Sequence, residues 1–161
     1  MTASDWLVIG IGNEFRRDDA AGLMAAKELK DRARPGLDVV LHHGEGTGLM
    51  ALWKGRERVV VIDAVSSGRP AGHLHLVDAA RDAIPPDLTP FSSHVFGLAG
   101  AVELARDLGE LPQILWIIGV EGGDFSFGQE PGPEVVLALP KAIDMVIDLV
   151  SLRHVRPDIS C

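Results

Sequence analysis

Two carboxylates and one imidazole are the side chains best suited to chemistry in this sequence: Asp19, Asp63 and His94. Asp19 follows a glycine-rich turn, Asp63 ends an apolar run, and His94 begins a predicted helix. An acid buried without a partner is costly, so another group should satisfy Asp63. The positive end of a helix favours the neutral imidazole that binds metals. The set suits a transition metal such as nickel or zinc better than calcium, which takes more oxygen ligands.

Each of these residues, and the neighbouring Asp18, also has a purely structural interpretation. Asp18 is well placed as a helix N-cap, and Asp19 could simply complement the helix dipole. Asp63 could bond loop amides, and His94 could be a cap or a hydrogen-bonded core histidine. Four further histidines are predicted to be surface or edge-strand residues: His42, His43, His73 and His75.

Three predicted strands end near the candidate residues. Residues 7–9 lead into a Gly-x-Gly-Asn turn, residues 37–42 lead into the glycine-rich turn 43–48, and residues 58–63 end at Asp63. Ligands of open parallel sheets bind at the carboxyl ends of the strands. We therefore expect these turns and acids to share one rim of a sheet.

The remaining pattern alternates strands with helices, which predicts an α/β fold. We expect a single domain over residues 1–161, a three-layer α/β/α sandwich with a twisted, mostly parallel five-stranded sheet of the phosphorylase/hydrolase-like kind. Strands are predicted at 72–78, as an edge strand, and at 113–120. Helices are predicted at 18–33, 49–54, from Ser92 or Ser93 to 108, and at 134–152, the last kinked or interrupted at Pro140. The loop at 121–133 is long enough to be functional.

Composition narrows the class of protein. The net charge of −8 argues against a nucleic-acid or anionic-membrane surface. No basic segment precedes the first apolar run, and no apolar stretch is long enough to span a bilayer, so we expect a cytoplasmic protein. The only cysteine is Cys161, so no cysteine cluster binds a metal.

Motifs of several other enzyme classes are absent. The Gly10 turn lacks the third glycine of a dinucleotide fingerprint, and no Gly-Lys-Ser/Thr phosphate loop occurs. Neither a Gly-x-Ser-x-Gly elbow nor HExxH is present. Hydrolytic chemistry would therefore use carboxylates, histidine and a metal-bound or base-activated water.

Six motifs, spread over nearly the whole chain, resemble the [NiFe]-hydrogenase maturation endopeptidases. In chain order they are Gly10-Ile11-Gly12-Asn13, Asp18-Asp19-Ala20-Ala21-Gly22, Glu45-Gly46-Thr47-Gly48, Val61-Ile62-Asp63-Ala64, Ser93-His94-x-x-Gly97-Leu98 and Ile118-Gly119-Val120-Glu121. The resemblance implies a protease that removes a C-terminal extension from the precursor of the hydrogenase large subunit after nickel insertion. It also implies that Asp19, Asp63 and His94 contact nickel and carry the catalysis.

The chain departs from the family pattern at two places. Position 19 is Asp where some relatives carry Glu, which shortens the arm that would reach the metal. Gly122 and Pro131-Gly132-Pro133 differ from the common residues of the loop, which bears on loop conformation and substrate preference.

Three hypotheses follow for the role of the metal. Three ligands without a thiolate make a weak resident site, so we expect nickel to be carried by the precursor, with no permanently bound metal. The partner would then be that precursor, bound by a monomer. The alternatives are a conventional metallopeptidase with its own zinc, and a nickel-binding assembly chaperone without proteolysis.

Overall fold

Five strands and four α-helices alternate along the residues that the structure, a computed structural model, describes, namely 5–88 and 94–152. The strands are β1 (Trp6–Ile11), β2 (Leu37–His42), β3 (Arg58–Val65), β4 (Leu74–Asp78) and β5 (Ile114–Glu121). The helices are α1 (Ala21–Asp31), α2 (Gly46–Trp53), α3 (Leu98–Leu108) and α4 (Pro133–Ser151). In these two ranges, no helix is both long and apolar enough to cross a membrane.

The five strands form one sheet in the order β2-β1-β3-β5-β4. The first four in this order run parallel, and only β4 pairs antiparallel with its neighbour, β5. β1 and β3 are apolar and buried along almost their whole lengths, as central parallel strands covered on both faces must be. The predicted mostly parallel five-stranded sheet and its edge strand are confirmed.

Helices cover both faces of the sheet. One core packs α1 and α4 against the sheet, with Val8, Val60 and Ile118 buried between them. The other packs α2 and α3 against the opposite face, around Trp53 and Leu115. This three-layer arrangement leaves the carboxyl ends of β1, β2 and β3 at one rim.

Three helices begin at positions that differ from the predicted ones. Residues Arg17–Ala20 form a 3-10 turn, so α1 starts at Ala21. α2 starts earlier, at Gly46, because the carboxylate of Glu45 accepts hydrogen bonds from the N–H groups of Thr47 and Gly48. α3 starts only at Leu98, and the predicted caps Ser92 and Ser93 lie outside the described residues.

Pro140 lies inside α4, which continues past it to Ser151, so of the two predicted alternatives the interruption is wrong and the kink stays a prediction. A proline removes one helical hydrogen bond, to the carbonyl four residues earlier. That residue, Val136, lies on an exposed stretch of the helix, where water can satisfy its carbonyl. The apolar residues on the other face of α4 hold the helix to the sheet.

Gly22 lets the first turn of α1 rest directly on the sheet. A Cβ atom at this position would overlap the backbone carbonyl oxygens of Ile62 in β3 and Ile11 in β1. No side-chain rearrangement relieves such an overlap, because both atoms belong to the backbone. The start of α1, and with it Asp19, is therefore held against the ends of β1 and β3.

Gly22→Ala should push α1 away from the sheet and destabilise the fold by about 2 kcal/mol or more, as overpacking of a tight contact does. Chemical denaturation measures this change. Gly123→Ala is the matched control, since the nearest heavy atom to a Cβ there is 3.6 Å away. Equal stabilities of the two variants would contradict the close backbone contact.

Candidate active site

Asp19 is a buried acid in the 3-10 turn Arg17–Ala20, which follows β1. Its neighbour Gly12 has no side chain, and a Cβ there would overlap the carbonyl oxygen of Asp19. The backbone N–H of Asn13 donates to the Asp19 carboxyl group. Burial nevertheless raises the pKa of Asp19 from 3.8 to about 7, against the opposing effects of that hydrogen bond and of the Arg16 guanidinium.

Asp63 is a second buried acid. It lies in β3, and its partner on the adjacent strand β5 is Gly119. The N–H of Ala64 donates to its carboxyl oxygen at 2.8 Å. Burial, and next the charge of Asp19, raise the pKa of Asp63 well above its usual value. The sequence analysis placed Asp63 at the end of the strand, but β3 continues to Val65.

The two acids therefore lie near each other at the rim of the sheet, as expected. Two carboxyl groups that share a poorly solvated site cannot both ionise readily, so ionisation of Asp19 further raises the pKa of Asp63. Such a pair can accept and return a proton during hydrolysis.

His94 does not begin a helix, which corrects the prediction. It lies before α3, whose N-cap is Gly97, so the dipole of α3 does not act on it directly. Its Nε2 atom lies 3.3 Å from Nδ1 of His43, which follows β2. Within residues 5–88 and 94–152, no group of three His, Cys, Asp or Glu side chains is arranged to hold a metal ion.

His42 is the last residue of the edge strand β2 and His43 is exposed, as the sequence predicts, and both lie at this rim. Their rings stack with centroids 4.5 Å apart. The N–H of Gly44 donates to Nδ1 of His42 at 2.9 Å, which fixes this ring. Burial, and next the charge of His43, lower the pKa of His42. The end of β2, at the carboxyl edge of the sheet, was the available signal for both residues.

Asp18 is not the helix cap that was predicted, since α1 begins after Ala20 without a side-chain cap. It is 3% exposed, and its carboxylate accepts three backbone hydrogen bonds from the loop between β5 and α4 (residues 122–132). The donors are the N–H groups of Gly123, Asp124 and Gly132, at 2.8, 2.9 and 2.7 Å. Nothing local in the sequence signals this contact, because its partners are more than a hundred residues away.

The same loop holds Arg17 in a left-handed conformation, with φ of 44°. Such a backbone is unfavourable for a residue with a side chain. The N–H of Arg17 donates to the carbonyl oxygen of Gly128 at 3.1 Å, and the N–H of Gly128 donates to the carbonyl oxygen of Phe15 at 2.8 Å. These bonds and the Asp18 carboxylate set the turn that carries Asp19.

Glu121, at the end of β5, is a fourth buried acid, which sequence reasoning left without a role. Its carboxylate accepts from the N–H of Ser67 at 2.8 Å and from the Ser67 hydroxyl, and it contacts Nε2 of His75 at 3.0 Å. Burial raises the pKa of Glu121, but these hydrogen bonds outweigh it and leave the pKa below its usual value. Glu121 therefore stays ionised and ties the segment after β3 to the sheet.

Asp18→Asn should destabilise the protein by about 2 kcal/mol, because an NH₂ group would replace an acceptor that faces backbone N–H donors. Amide hydrogen exchange of Gly123, Asp124 and Gly132 should become faster at the same time. The exposed Asp31 provides the control variant Asp31→Asn. Unchanged exchange in the loop would contradict the role given to Asp18.

Asp19→Asn tests the raised pKa of Asp19 through its effect on the free energy of unfolding. The folded-state pKa of about 7 exceeds the unfolded value of 3.8, so the folded protein binds the extra proton between these pH values. This acid therefore lowers the free energy of unfolding as the pH rises from about 4 to about 7. Denaturation at pH 5 and pH 8 should show the variant gaining stability relative to wild type at the higher pH. An equal difference at both pH values would contradict the shift.

Comparison with known proteins identifies the family to which this chain is similar. Residues 24–149 match the family model described as hydrogenase maturation protease, HycI. The hydrogenase expression/formation protein HupD of Thiocapsa roseopersicina is 30% identical over 90% of this chain and 67% of its own length. The hydrogenase 2 maturation protease of Escherichia coli K12 is 30% identical over 71% of each chain.

Solved structures share the fold. The hydrogenase maturating endopeptidase HybD of E. coli superposes with a TM-score of 0.70 at 23% identity, over 90% of this chain and 91% of that one. The HycI protease of Thermococcus kodakarensis superposes with a TM-score of 0.67 at 22% identity, over 91% of this chain and 92% of that one. With the family match over most of its length, this chain belongs to the hydrogenase maturation protease family.

Proposed function

We propose that this maturation protease is an endopeptidase that removes the C-terminal extension of a [NiFe]-hydrogenase large-subunit precursor, and that it recognises the nickel already inserted there. The observation that carries the proposal is the buried pair Asp19 and Asp63, at the same edge of the sheet as the turn after β2 that His94 contacts, in a chain of this family. Nickel is part of the substrate in this proposal, since it arrives with the precursor.

The pKa of Asp19 suits proton transfer at neutral pH. A group with a pKa of about 7 is half ionised there, so its carboxylate can take a proton from water and its acid form can return one. In the proposed reaction, water attacks the scissile carbonyl carbon while Asp19 accepts the proton. The same proton then passes to the departing amine as the peptide bond breaks.

Asp63 and His94 complete the proposed set. Asp63 limits the ionisation of the pair, and an arriving cation favours loss of the proton from both acids. Carboxylate oxygen and imidazole nitrogen are both ligands that nickel accepts. A cation held in the precursor would then fix the scissile bond relative to Asp19.

Other expectations from the sequence stay proposals: a single maturation protease domain over 1–161, a monomer, the cytoplasm as its location, and no nucleic-acid or membrane partner. Size-exclusion chromatography and cell fractionation test the oligomeric state and the location.

Processing of a purified large-subunit precursor, with and without nickel, tests the proposed reaction. Wild type should shorten only the nickel-loaded precursor. His94→Ala and Asp63→Asn should process it at least about 100-fold more slowly, as expected when a proton-transfer or metal-contacting group is lost. The mass of the product, measured by mass spectrometry, identifies the bond that is cut.

His73→Ala serves as the control for the loss of an exposed imidazole elsewhere in the chain. Circular dichroism should show native folds for all variants, because the substituted side chains lie at the rim. Binding of the precursor without shortening would support a chaperone instead. Cleavage of nickel-free precursor that depends on added zinc would support a metallopeptidase with its own ion.

A further inference from the structure

Two imidazole nitrogens at the rim, from His43 and His94, lie close together. Nδ1 of His43 and Nε2 of His94 lie 3.3 Å apart, although 51 residues separate them in the chain. The rings are tilted by 50° with centroids 5.2 Å apart, so they contact through these nitrogen atoms and not by face-to-face stacking. Either one proton lies between the two nitrogens, or one cation can bind both.

The spacing fits a shared cation. Imidazole nitrogens bind first-row divalent metals at about 2.1 Å, so two nitrogens 3.3 Å apart can both reach one ion with an angle of roughly 100° at the metal. That angle is compatible with tetrahedral or octahedral coordination. A proton held between neutral rings would move to the other nitrogen of its own ring, leaving both facing lone pairs for the metal.

Neighbouring groups hold His43 in place and favour a cation. His43 stacks on His42, whose own Nδ1 is occupied by the N–H of Gly44. The Glu45 carboxylate, the cap of α2, lies close to His42. Its charge acts to raise the pKa of His42, against the larger effects that lower it, so negative charge lies beside the imidazoles. His43 is also exposed, which lets a metal carried by a partner reach it.

We infer that His43 and His94 form a two-imidazole site for a divalent transition-metal cation, with His43 as an additional contact to the nickel of the precursor. The identity of the cation as the precursor's nickel rests on the proposed function, whereas the two-imidazole site does not. Two protein nitrogens leave most coordination positions for the ligands that the precursor supplies. His42 acts through His43 and is a positioning residue.

Titration of the untagged protein with nickel chloride tests the site. Paramagnetic nickel should broaden the NMR signals of the His43 and His94 rings first, and calorimetry should give the affinity. His43→Phe preserves a ring that can stack on His42 but has no nitrogen, and it should weaken nickel binding by about tenfold or more. His94→Ala should do the same, and magnesium chloride should leave both rings unaffected.

The matched control is His73→Ala. His73 belongs to another close pair, with its ring centroid 4.7 Å from that of His75, whose Nε2 contacts Glu121. Nickel affinity should be unchanged in this control. Wild-type affinity in His43→Phe would overturn the inference, as would loss of binding in His73→Ala or the absence of ring broadening at millimolar nickel.

Processing assays separate this inference from the proposed function. His43→Phe should slow cleavage of nickel-loaded precursor by about tenfold if the ring contacts the nickel there. Nickel binding at His43 and His94 in a wild type that cleaves no precursor would refute the proposed function alone. Cleavage by wild type, with nickel affinity unaltered in His43→Phe, would refute the two-imidazole site alone.

Discussion

The burial of two acids at one rim of the sheet, Asp63 in β3 and Asp19 in the turn after β1, is the constraint on which the site depends. Asp19 is 7% exposed and Asp63 is 2% exposed, and each has one identified backbone N–H donor, from Asn13 and Ala64. Removing carboxylates from water disfavours their charged forms, so both pKa values rise. The fold thus keeps two acids with raised pKa values close together, where an arriving cation would favour their charged forms.

The surrounding backbone keeps this unfavourable pair in place. Gly12 and Gly22 allow the turn and the first residues of α1 to touch the strands, where any side chain would overlap backbone atoms. Asp18 binds three N–H groups of the loop 122–132, and Arg17 is held in a left-handed conformation by the same loop. Stability elsewhere in the fold offsets the cost of the site, as is common where local strain serves chemistry.

The imidazoles complement the acids in chemistry and in exposure. Asp19 and Asp63 are buried, whereas His43 is exposed and His94 is only partly buried. A metal that arrives with a protein partner would meet the outer nitrogen atoms first. The inner carboxyl groups are suited to proton transfer, because their pKa values lie far above those of free acids.

The sequence by itself determined the class of fold and singled out the two acids of the candidate site. Its apolar runs and its alternating segment 72–78 predict buried parallel strands and an edge strand, because these periodicities are local properties of the chain. A single acid at the end of an apolar run marked Asp63 in the same way. Tertiary structure alone decided that Asp18 binds a distant loop, that α3 starts at Leu98, and that His43 meets His94. The Asp18 and His43 contacts join residues more than fifty positions apart, and no local pattern encodes them, because strand order and helix packing bring these residues together.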